Sequence, residues 1–230
     1  MHEVVIPKEI KEACIKRRGR LHVFDKLDSR STALVVIDMQ NSWLKPGMSP
    51  LEIPEARTIV DNINALARTI RKANGTVAWT QSTFPEDWTS KAYQGFGSQQ
   101  WIKNAIHDTE VGSRGFQIYE KLDWREGDIT VTKNRPSAFI QGSSKLESEL
   151  RSRGCDTIVI TGTLTNACCE SSARDAAALG FRVVFVSDGT ATRTDIEHNA
   201  ALINLMQLVA DVRTTEEVIQ CLASRRAEIL

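Results

Sequence analysis

Residues Thr157–Gly180 read TIVITGTLTNACCESSARDAAALG, an apolar run followed by a polar turn and an alanine-rich segment. A short, continuous apolar run rich in β-branched residues is typical of a strand that is buried on both faces. The alanine-rich segment ends at Gly180, and glycine commonly follows the last turn of a helix. The stretch therefore predicts a strand–helix unit in which two adjacent cysteines, Cys168 and Cys169, open the helix.

The same alternation of strand and helix patterns extends over most of the 230 residues. Buried-strand patterns occur at Ala33–Ile37, Thr76–Thr80, Asp128–Thr132, Thr157–Thr161 and Arg182–Val186, with a weaker sixth near Val209–Arg213. Helical patterns occur at Glu55–Gly75, Ser143–Gly154, Cys168–Leu179, Asp195–Leu208 and Thr215–Ala223. This order predicts an α/β fold, a three-layer α/β/α Rossmann-like domain with a mainly parallel sheet of about six strands.

Two segments fall outside this alternation. Residues 1–30 are polar and basic, and we interpret them as an N-terminal arm that lies on the body of the protein or on a partner subunit. Residues 31–230 are predicted to form a single domain. Within it, the stretch Phe84–Asp123 is rich in Gly, Gln, Ser and aromatic residues, and a long connection of this kind is often a lid or a subunit contact.

Composition excludes several classes of protein. The chain has 29 basic and 29 acidic residues, a balance that gives no electrostatic reason to bind nucleic acid or an anionic membrane. It has no apolar run near the roughly 20 residues of a membrane helix, and its first residues lack the apolar centre of a signal peptide. Its five cysteines form no CxxC pair, which favours a reducing, cytoplasmic setting.

Polar side chains follow the predicted strands, at the edge of the sheet where open α/β folds bind ligands. They are Asp38, Gln81 with Ser82, Lys133, the cysteine pair and Asp188. Taken singly, an Asp can cap a helix or form a turn, a Lys can lie on the surface, and a Cys is usually a buried structural residue. For Asp188 we favour a role in a turn. An acid, a base and a thiol on one edge are a more specific pattern, and they predict a catalytic site.

Helical periodicity separates the two cysteines. Steps of three and four residues from Cys169 reach Ala173, Ala176, Ala177 and Gly180, whereas steps from Cys168 reach Ser171, Ser172 and Asp175. Cys169 is therefore predicted to pack on the sheet and Cys168 to face the cleft. A position in the first helical turn is expected to lower the pKa of the Cys168 thiol.

A nucleophilic cysteine needs a base. No histidine follows a predicted strand, because His2 and His22 lie in the arm, His107 in the irregular stretch and His198 in a late helix. Asp38 is therefore the predicted base.

Three motifs, ALVVIDMQNSW, KNRPSAF and TGTLTNACCESSARDAAALGF, resemble those of the isochorismatase-like cysteine hydrolases, which include nicotinamidase, N-carbamoylsarcosine amidase and ureidoacrylate amidohydrolase. The resemblance covers roughly residues 30 to 220. It implies a catalytic triad of Asp38, Lys133 and Cys168 and a cis peptide between Thr163 and Leu164. It also implies a small-molecule substrate and a homo-oligomer, dimeric or tetrameric.

The chain departs from parts of this family. Nicotinamidases carry a metal-binding Asp-x-His after the second strand, whereas QSTFPEDW here has no histidine. We therefore expect no metal and no other cofactor, and the departure argues against nicotinamidase activity. Some siderophore-pathway isochorismatases lack the cysteine, so the presence of Cys168 favours hydrolysis of a C–N bond. WTQSTF and KNRPSAF look most similar to the ureidoacrylate and carbamoyl-amide branch.

The predicted function is a cysteine amidohydrolase that cleaves a small amide, ureido or carbamoyl substrate through a Cys168 thioester. Asp38 would act as base and acid, Lys133 would stabilise both partners, and the N–H groups of Leu164 and Cys168 would hold the oxyanion. Trp43, Gln81, Arg135 and Phe139 are candidate substrate-binding residues, although Trp43 is equally compatible with core packing and Arg135 with a surface position.

Three alternatives remain. One is vinyl-ether hydrolysis of the isochorismatase type on the same fold, and another is a catalytically silent interaction module. A nucleotide-binding Rossmann domain is the third, and DMQNSW disfavours it because it contains no glycine after the first strand. The sequence does not fix the substrate.

Overall fold

A computed structural model describes residues 1–84 and 94–223 of the chain. Its centre is a six-stranded sheet in which every pairing is parallel, with the strand order β3-β2-β1-β4-β5-β6. The strands are β1 (Thr32–Ile37), β2 (Thr76–Ser82), β3 (Ile129–Lys133), β4 (Thr157–Thr163), β5 (Arg182–Ala191) and β6 (Asp211–Arg213). The predicted α/β fold with about six parallel strands is confirmed.

Helices connect these strands and cover both faces of the sheet. They are α1 (Lys8–Arg18), α2 (Asn41–Leu44), α3 (Val60–Lys72), α4 (Gln99–Asp108), α5 (Leu146–Ser152), α6 (Glu170–Ala178), α7 (Asp195–Leu208) and α8 (Thr215–Ala223). Short 3₁₀ segments lie at Ser29–Ser31, Pro54–Ile59 and Gln94–Phe96. Among the described residues, no helix is long and apolar enough to span a membrane.

The helix predicted to begin at Cys168 begins instead at Glu170, after a π-helical turn at Thr165–Cys169. The Leu164 carbonyl accepts the N–H groups of both Ala167 and Cys169, each at 3.1 Å. A hydrogen bond that spans five residues widens the turn beyond the α-helical geometry. Both cysteines therefore lie in this widened turn, which we call the cysteine turn.

Two hydrophobic clusters form the core, one on each face of the sheet. Side chains alternate along β1, so that Leu34 and Val36 join the first cluster while Val35 and Ile37 join the second. The first cluster contains the apolar face of α3, and the second contains buried residues of α5, α6 and α7. Strands β1, β2, β4 and β5 are thus covered on both faces, which is why their patterns are continuously apolar, whereas the edge strand β3 alternates between buried and exposed residues.

The order of the strands fixes where a site can form. The chain proceeds outward from β1 through β2 to β3, and it then returns to the other side of β1 with β4, β5 and β6. The direction of winding therefore reverses between β1 and β4, which leaves a crevice at their carboxyl ends. Asp38 follows β1 directly, and the cysteine turn follows β4.

The two segments outside the alternation pack on this body. In the arm, α1 lies against α7, and Asp211 of β6 accepts the backbone N–H groups of Val23 and Phe24, each at 2.9 Å. In the irregular stretch, residues 115–118 pair with the region of α2, including a bridge between Gln40 and Ile118. Residues 85–93 of the predicted lid lie outside the described residues, and the lid or subunit contact stays a prediction.

We predict that Gly162→Ala destabilises the protein strongly. Gly162 has φ of 110°, and a Cβ built on it would overlap the carbonyl oxygen of Ile37 and lie 2.7 Å from the Ile37 nitrogen. Backbone strain and overpacking against β1 together should cost about 3 kcal/mol or more of unfolding free energy. Urea denaturation measures this loss.

The matched control is Gly154→Ala, at a glycine with φ of 72° and no atom near the added Cβ. This variant carries the strain of a positive φ alone, which costs about 1–2 kcal/mol. Equal losses in the two variants would show that contact with β1 does not matter.

Candidate active site

The structure brings the three predicted triad side chains into contact. Lys133 Nζ lies 2.8 Å from Asp38 Oδ2 and 3.4 Å from Cys168 Sγ. It also donates to the carbonyl oxygen of Arg135 at 2.9 Å and to Ser82 Oγ at 3.4 Å. Lys133 thus stands at the centre of the site and connects an acid with a thiol.

Two threonines hold Asp38 in place. Thr80 Oγ1 donates to Asp38 Oδ1 at 2.7 Å, while the Asp38 N–H is directed at Thr80 Oγ1 and the Thr80 carbonyl, both at 3.2 Å. Thr163 Oγ1 donates to the Asp38 carbonyl at 3.2 Å. Asp38 has φ of 51°, a left-handed conformation that Asp tolerates better than most residues. Its neighbours on β2 and β4 therefore fix both its backbone and its carboxylate.

Burial and charge act in opposite directions on Lys133. Its side chain is fully buried, and burial by itself lowers the pKa of an amine. The Asp38 carboxylate and the Cys168 sulfur outweigh that effect, so the pKa of Lys133 is raised above its ordinary value. Lys133 is therefore a permanent cation at neutral pH.

The expected lowering of the Cys168 pKa is wrong. Burial is the largest cause that raises the pKa of the thiol, the Lys133 cation lowers it and the Asp38 carboxylate raises it, and the result is a pKa of about 12. Cys168 also lies in the cysteine turn rather than in the first turn of an α-helix, so the expected helix-terminus effect does not dominate. At neutral pH the resting form of Cys168 is the thiol.

The two cysteines occupy different environments. Cys168 is half-buried and faces a cavity, whereas Cys169 is fully buried in the core cluster that contains Ala173 and Ala176. The predicted polar face beside Cys168 is wrong at one position. Ser172 is buried, and its Oγ accepts the N–H of Ala138 at 3.0 Å, so it cannot face the cleft.

The cavity in front of Cys168 has a volume of about 340 Å³ and walls that are mostly apolar. Its apolar lining is Trp43, Leu51, Phe84, Pro136, Trp101, Leu164 and Ala167, and its polar lining is Ser82, Thr83, Lys133, Asn134, Arg135, Cys168, Ser171 and Arg193. A mostly apolar cavity with a few convergent polar groups is the usual form of a small-molecule site. A more open groove along β3 contains none of the triad residues.

The Isochorismatase domain family matches residues 32–217 of the chain. The chain belongs to the isochorismatase family. It is 32% identical over 200 residues to an uncharacterized isochorismatase family protein, YwoC, of Bacillus subtilis (strain 168), an alignment that covers 84% of this chain and 95% of the relative. It is 30% identical over 208 residues to the ureidoacrylate amidohydrolase RutB of Caulobacter vibrioides, covering 83% and 91%.

Among solved structures, a cysteine hydrolase from Pseudomonas syringae pv. phaseolicola 1448A superposes with a TM-score of 0.77 at 25% sequence identity. The match covers 89% of this chain and 97% of that structure. The predicted membership of an isochorismatase-like hydrolase family is confirmed. The structure also contains the cis peptide between Thr163 and Leu164 that the resemblance implied.

Two of the four predicted substrate-binding residues of this isochorismatase-family chain line the cavity. Trp43 forms part of its wall and packs against Phe84, with ring centroids 6.4 Å apart, while Arg135 lies at its polar side. Gln81 and Phe139 are not among the residues that line it. Gln81 donates to the Phe116 carbonyl at 2.8 Å, and Phe139 is buried against Phe181.

Several residues of the site were not found from the sequence. Thr80 contacts Asp38 and Ser82 contacts Lys133, although neither is among the predicted catalytic or substrate-binding residues. Strand alternation along β2 would have placed Thr80 and Ser82 on one face and Gln81 on the other. Arg193 is absent from the predicted site because β5 runs to Ala191, five residues beyond its predicted end, which places Asp188 within the strand and Arg193 after it.

Two further expectations were that the chain holds no metal ion and that Asp188 shapes a turn. Among residues 1–84 and 94–223, no group of three or more His, Cys, Asp or Glu side chains is placed to hold a metal ion. Asp188 Oδ1 accepts the N–H and the hydroxyl of Thr215 at 2.7 and 2.8 Å. Asp188 therefore caps the start of α8, a structural role but not the turn that was expected.

We predict that Asp38→Asn makes Cys168 more reactive toward iodoacetamide. The Asp38 carboxylate raises the pKa of the thiol, and Lys133 lowers it. Removing the negative charge while keeping Lys133 should lower the pKa below about 12 and increase the thiolate fraction at pH 8. The alkylation rate at pH 8 should rise by about tenfold or more, which corresponds to a shift of about one pKa unit.

The measurement is the pH profile of the alkylation rate, followed by intact mass. Cys169→Ala, which should leave the profile unchanged, is the control that assigns the reaction to Cys168. Slower alkylation in Asp38→Asn would mean that Asp38 promotes formation of the thiolate in the free protein, contrary to this prediction.

Proposed function

We propose that the protein is a cysteine amidohydrolase that cleaves the C–N bond of a small amide, ureido or carbamoyl compound. The observation that carries this proposal is the position of Lys133 Nζ, which contacts Asp38 Oδ2 and Cys168 Sγ beside a cavity. A nucleophile, a proton acceptor and a fixed cation that contacts both of them are the parts that acyl transfer requires. The similarity to a ureidoacrylate amidohydrolase supports a C–N substrate.

In the first half of the reaction, Asp38 accepts the thiol proton and Cys168 attacks the substrate carbonyl. The carbonyl oxygen becomes an oxyanion, which we assign to the backbone N–H groups of Leu164 and Cys168; one such donor is typically worth about 3–4 kcal/mol. The C–N bond then breaks, and Asp38 returns its proton to the leaving amine. The product at this stage is a thioester on Cys168.

In the second half, Asp38 takes a proton from water, and the hydroxide attacks the thioester carbonyl. The C–S bond breaks, the thiol regains its proton from Asp38, and the acid is released. Lys133 remains charged in both halves, because its pKa is raised by the two groups that it contacts. Its role is to stabilise the negative charge, which lies on Asp38 before the proton transfer and on Cys168 after it.

The lining of the cavity suggests which substrates fit. Trp43, Phe84 and Trp101 offer broad apolar surfaces, whereas Arg135 and Arg193 belong to the polar part of the lining. Arg135 also donates to the Gln141 carbonyl, which fixes its orientation. We therefore propose a substrate that has an apolar or planar body and a carboxylate, since guanidinium groups bind carboxylates well.

A screen of small amides, ureides and carbamoyl compounds tests the reaction. We expect release of ammonia or amine, together with an acyl adduct on Cys168 seen by intact mass. Cys168→Ala should reduce turnover by at least about a thousandfold, because it removes the nucleophile. Cys169→Ala, the matched control, should retain turnover and lose only about 1 kcal/mol of stability.

The alternatives give different results in this screen. A vinyl-ether hydrolase would act on an enol ether and release neither ammonia nor amine. A silent interaction module would turn over none of these compounds and form no acyl adduct. Full loss of activity in a folded Cys169→Ala variant, with activity retained in Cys168→Ala, would refute the assignment of the nucleophile.

We predict that Arg193→Gln raises the KM for carboxylate-bearing substrates while leaving the KM for neutral amide analogues within about twofold. A charge-assisted contact with a carboxylate contributes about 1.5–3 kcal/mol, so the KM should rise about ten- to a hundredfold. Steady-state kinetics with an acid and its primary amide measure the difference. Equal changes for both compounds would show that Arg193 does not recognise the carboxylate.

The expected homo-oligomer is also a proposal. Sedimentation of the full chain at several concentrations would establish whether it is a monomer, dimer or tetramer.

A further inference from the structure

A second polar cluster contacts the first two residues of the cysteine turn. Its members come from the arm, from the segment after β5, from α7 and from the turn itself. We call it the arm cluster: His2, Thr165, Asn166, Thr192, Asp195 and His198. None of these residues lines the cavity in front of Cys168, and none takes part in the proposed chemistry.

His2 anchors the first residues of the arm in this cluster. Its side chain is only 2% exposed, and its Nδ1 lies 2.7 Å from Asp195 Oδ1. Its Nε2 accepts the N–H of Thr192 at 3.0 Å and lies 3.2 Å from the Thr192 carbonyl. Both ring nitrogens therefore have partners, and the orientation of the imidazole is fixed.

The ring of His2 stacks on His198 of α7. The two ring centroids are 4.5 Å apart and the planes differ by 20°. His198 is fully buried, and its Nδ1 lies 2.9 Å from Thr165 Oγ1. Burial, together with the smaller effect of His2, lowers the pKa of His198 to about 4, so the ring is neutral at pH 7 and can accept the Thr165 hydroxyl proton. His198 thereby connects His2 to the first residue of the cysteine turn.

A second connection runs through Thr192. The backbone of Thr192 binds His2, and its Oγ1 donates to Asn166 Oδ1 at 2.7 Å. Asn166 is the second residue of the cysteine turn. The first two residues of the turn are thus held by the arm cluster, while Cys168 contacts Lys133.

We propose that His2 is a positioning residue for Cys168, acting through His198 and Thr192 on the cysteine turn. The effect of His2 on the rate of hydrolysis rests on the proposed function, whereas its effect on the position of Cys168 does not. Without His2, the turn is less constrained, and Sγ spends less time near Lys133 Nζ, the cation that lowers the thiol pKa. The thiolate is then less populated, and the nucleophile is less well aimed.

The test compares His2→Ala with His22→Ala. His22 is the matched control because it is another arm imidazole in contact with an aspartate, Asp211 at 2.9 Å, but it lies beside β6 and outside the arm cluster. We expect His2→Ala to reduce the rate of Cys168 alkylation by iodoacetamide about tenfold, since small misplacements of a reacting group have effects of this order or larger. On an active substrate, kcat should fall about as much while KM stays within about twofold.

His22→Ala should lower the melting temperature about as much as His2→Ala does, because it loosens the arm beside β6. It should leave the alkylation rate and kcat within about twofold of those of the unchanged protein. An alkylation rate in His2→Ala equal to that in His22→Ala would overturn the proposal. Failure of the protein to hydrolyse any amide would refute the proposed function. Because alkylation requires no substrate, the alkylation rates of His2→Ala and His22→Ala would still decide the role of His2.

A double-mutant cycle tests the route. His198→Asn retains a side chain that can accept the Thr165 hydroxyl proton but removes the ring on which His2 stacks. In that background, His2→Ala should reduce the alkylation rate less than threefold, compared with about tenfold in the otherwise unchanged protein. An undiminished tenfold effect would contradict transmission through His198.

Discussion

The site depends on one buried ion pair, Lys133 with Asp38, in which neither side chain is exposed to solvent. Removing two charges from water is unfavourable, and it is tolerated only where geometry is good and the remaining hydrogen-bonding groups have partners. Here Thr80, Ser82 and the Arg135 carbonyl supply those partners. Loss of either charge would leave the other buried and unpaired, at a cost of about 3–5 kcal/mol. The pair therefore specifies the arrangement of three strand ends.

The sheet supplies the register that this pair requires. Ile37, the last residue of β1, is aligned with Gly162 of β4, while Ser82 of β2 is aligned with Lys133 of β3. Asp38 and Lys133 therefore emerge from strands that are separated only by β2, and the cysteine turn emerges on the other side of β1. Gly162 permits the close approach of β4 to Ile37. The positions of Asp38, Lys133 and the cysteine turn at the carboxyl edge thus depend on the register in which the strands pair.

This relation explains what the sequence could and could not predict. Asp38 and Cys168 are predictable because they follow strands that are buried on both faces, whose patterns are strong, and Lys133 because it ends the edge strand β3. Ser82 rather than Gln81 lines the cavity, because neighbouring strand residues point to opposite faces and a shift of one residue exchanges them. Phe139 and the pKa of Cys168 depend on contacts between distant segments, which no local pattern encodes.

A raised thiol pKa and a proposed cysteine nucleophile are compatible when the net charge of the buried site is considered. At rest the site holds a carboxylate, an ammonium and a neutral thiol, with a net charge of zero. Transfer of the proton from Cys168 to Asp38 gives a carboxylic acid, an ammonium and a thiolate, and the net charge is again zero. Because Lys133 contacts both groups, it neutralises the anion before and after the transfer. The cost of burying charge therefore changes little along this step, and a thiolate that is rare in the free protein can form as the substrate carbonyl accepts it.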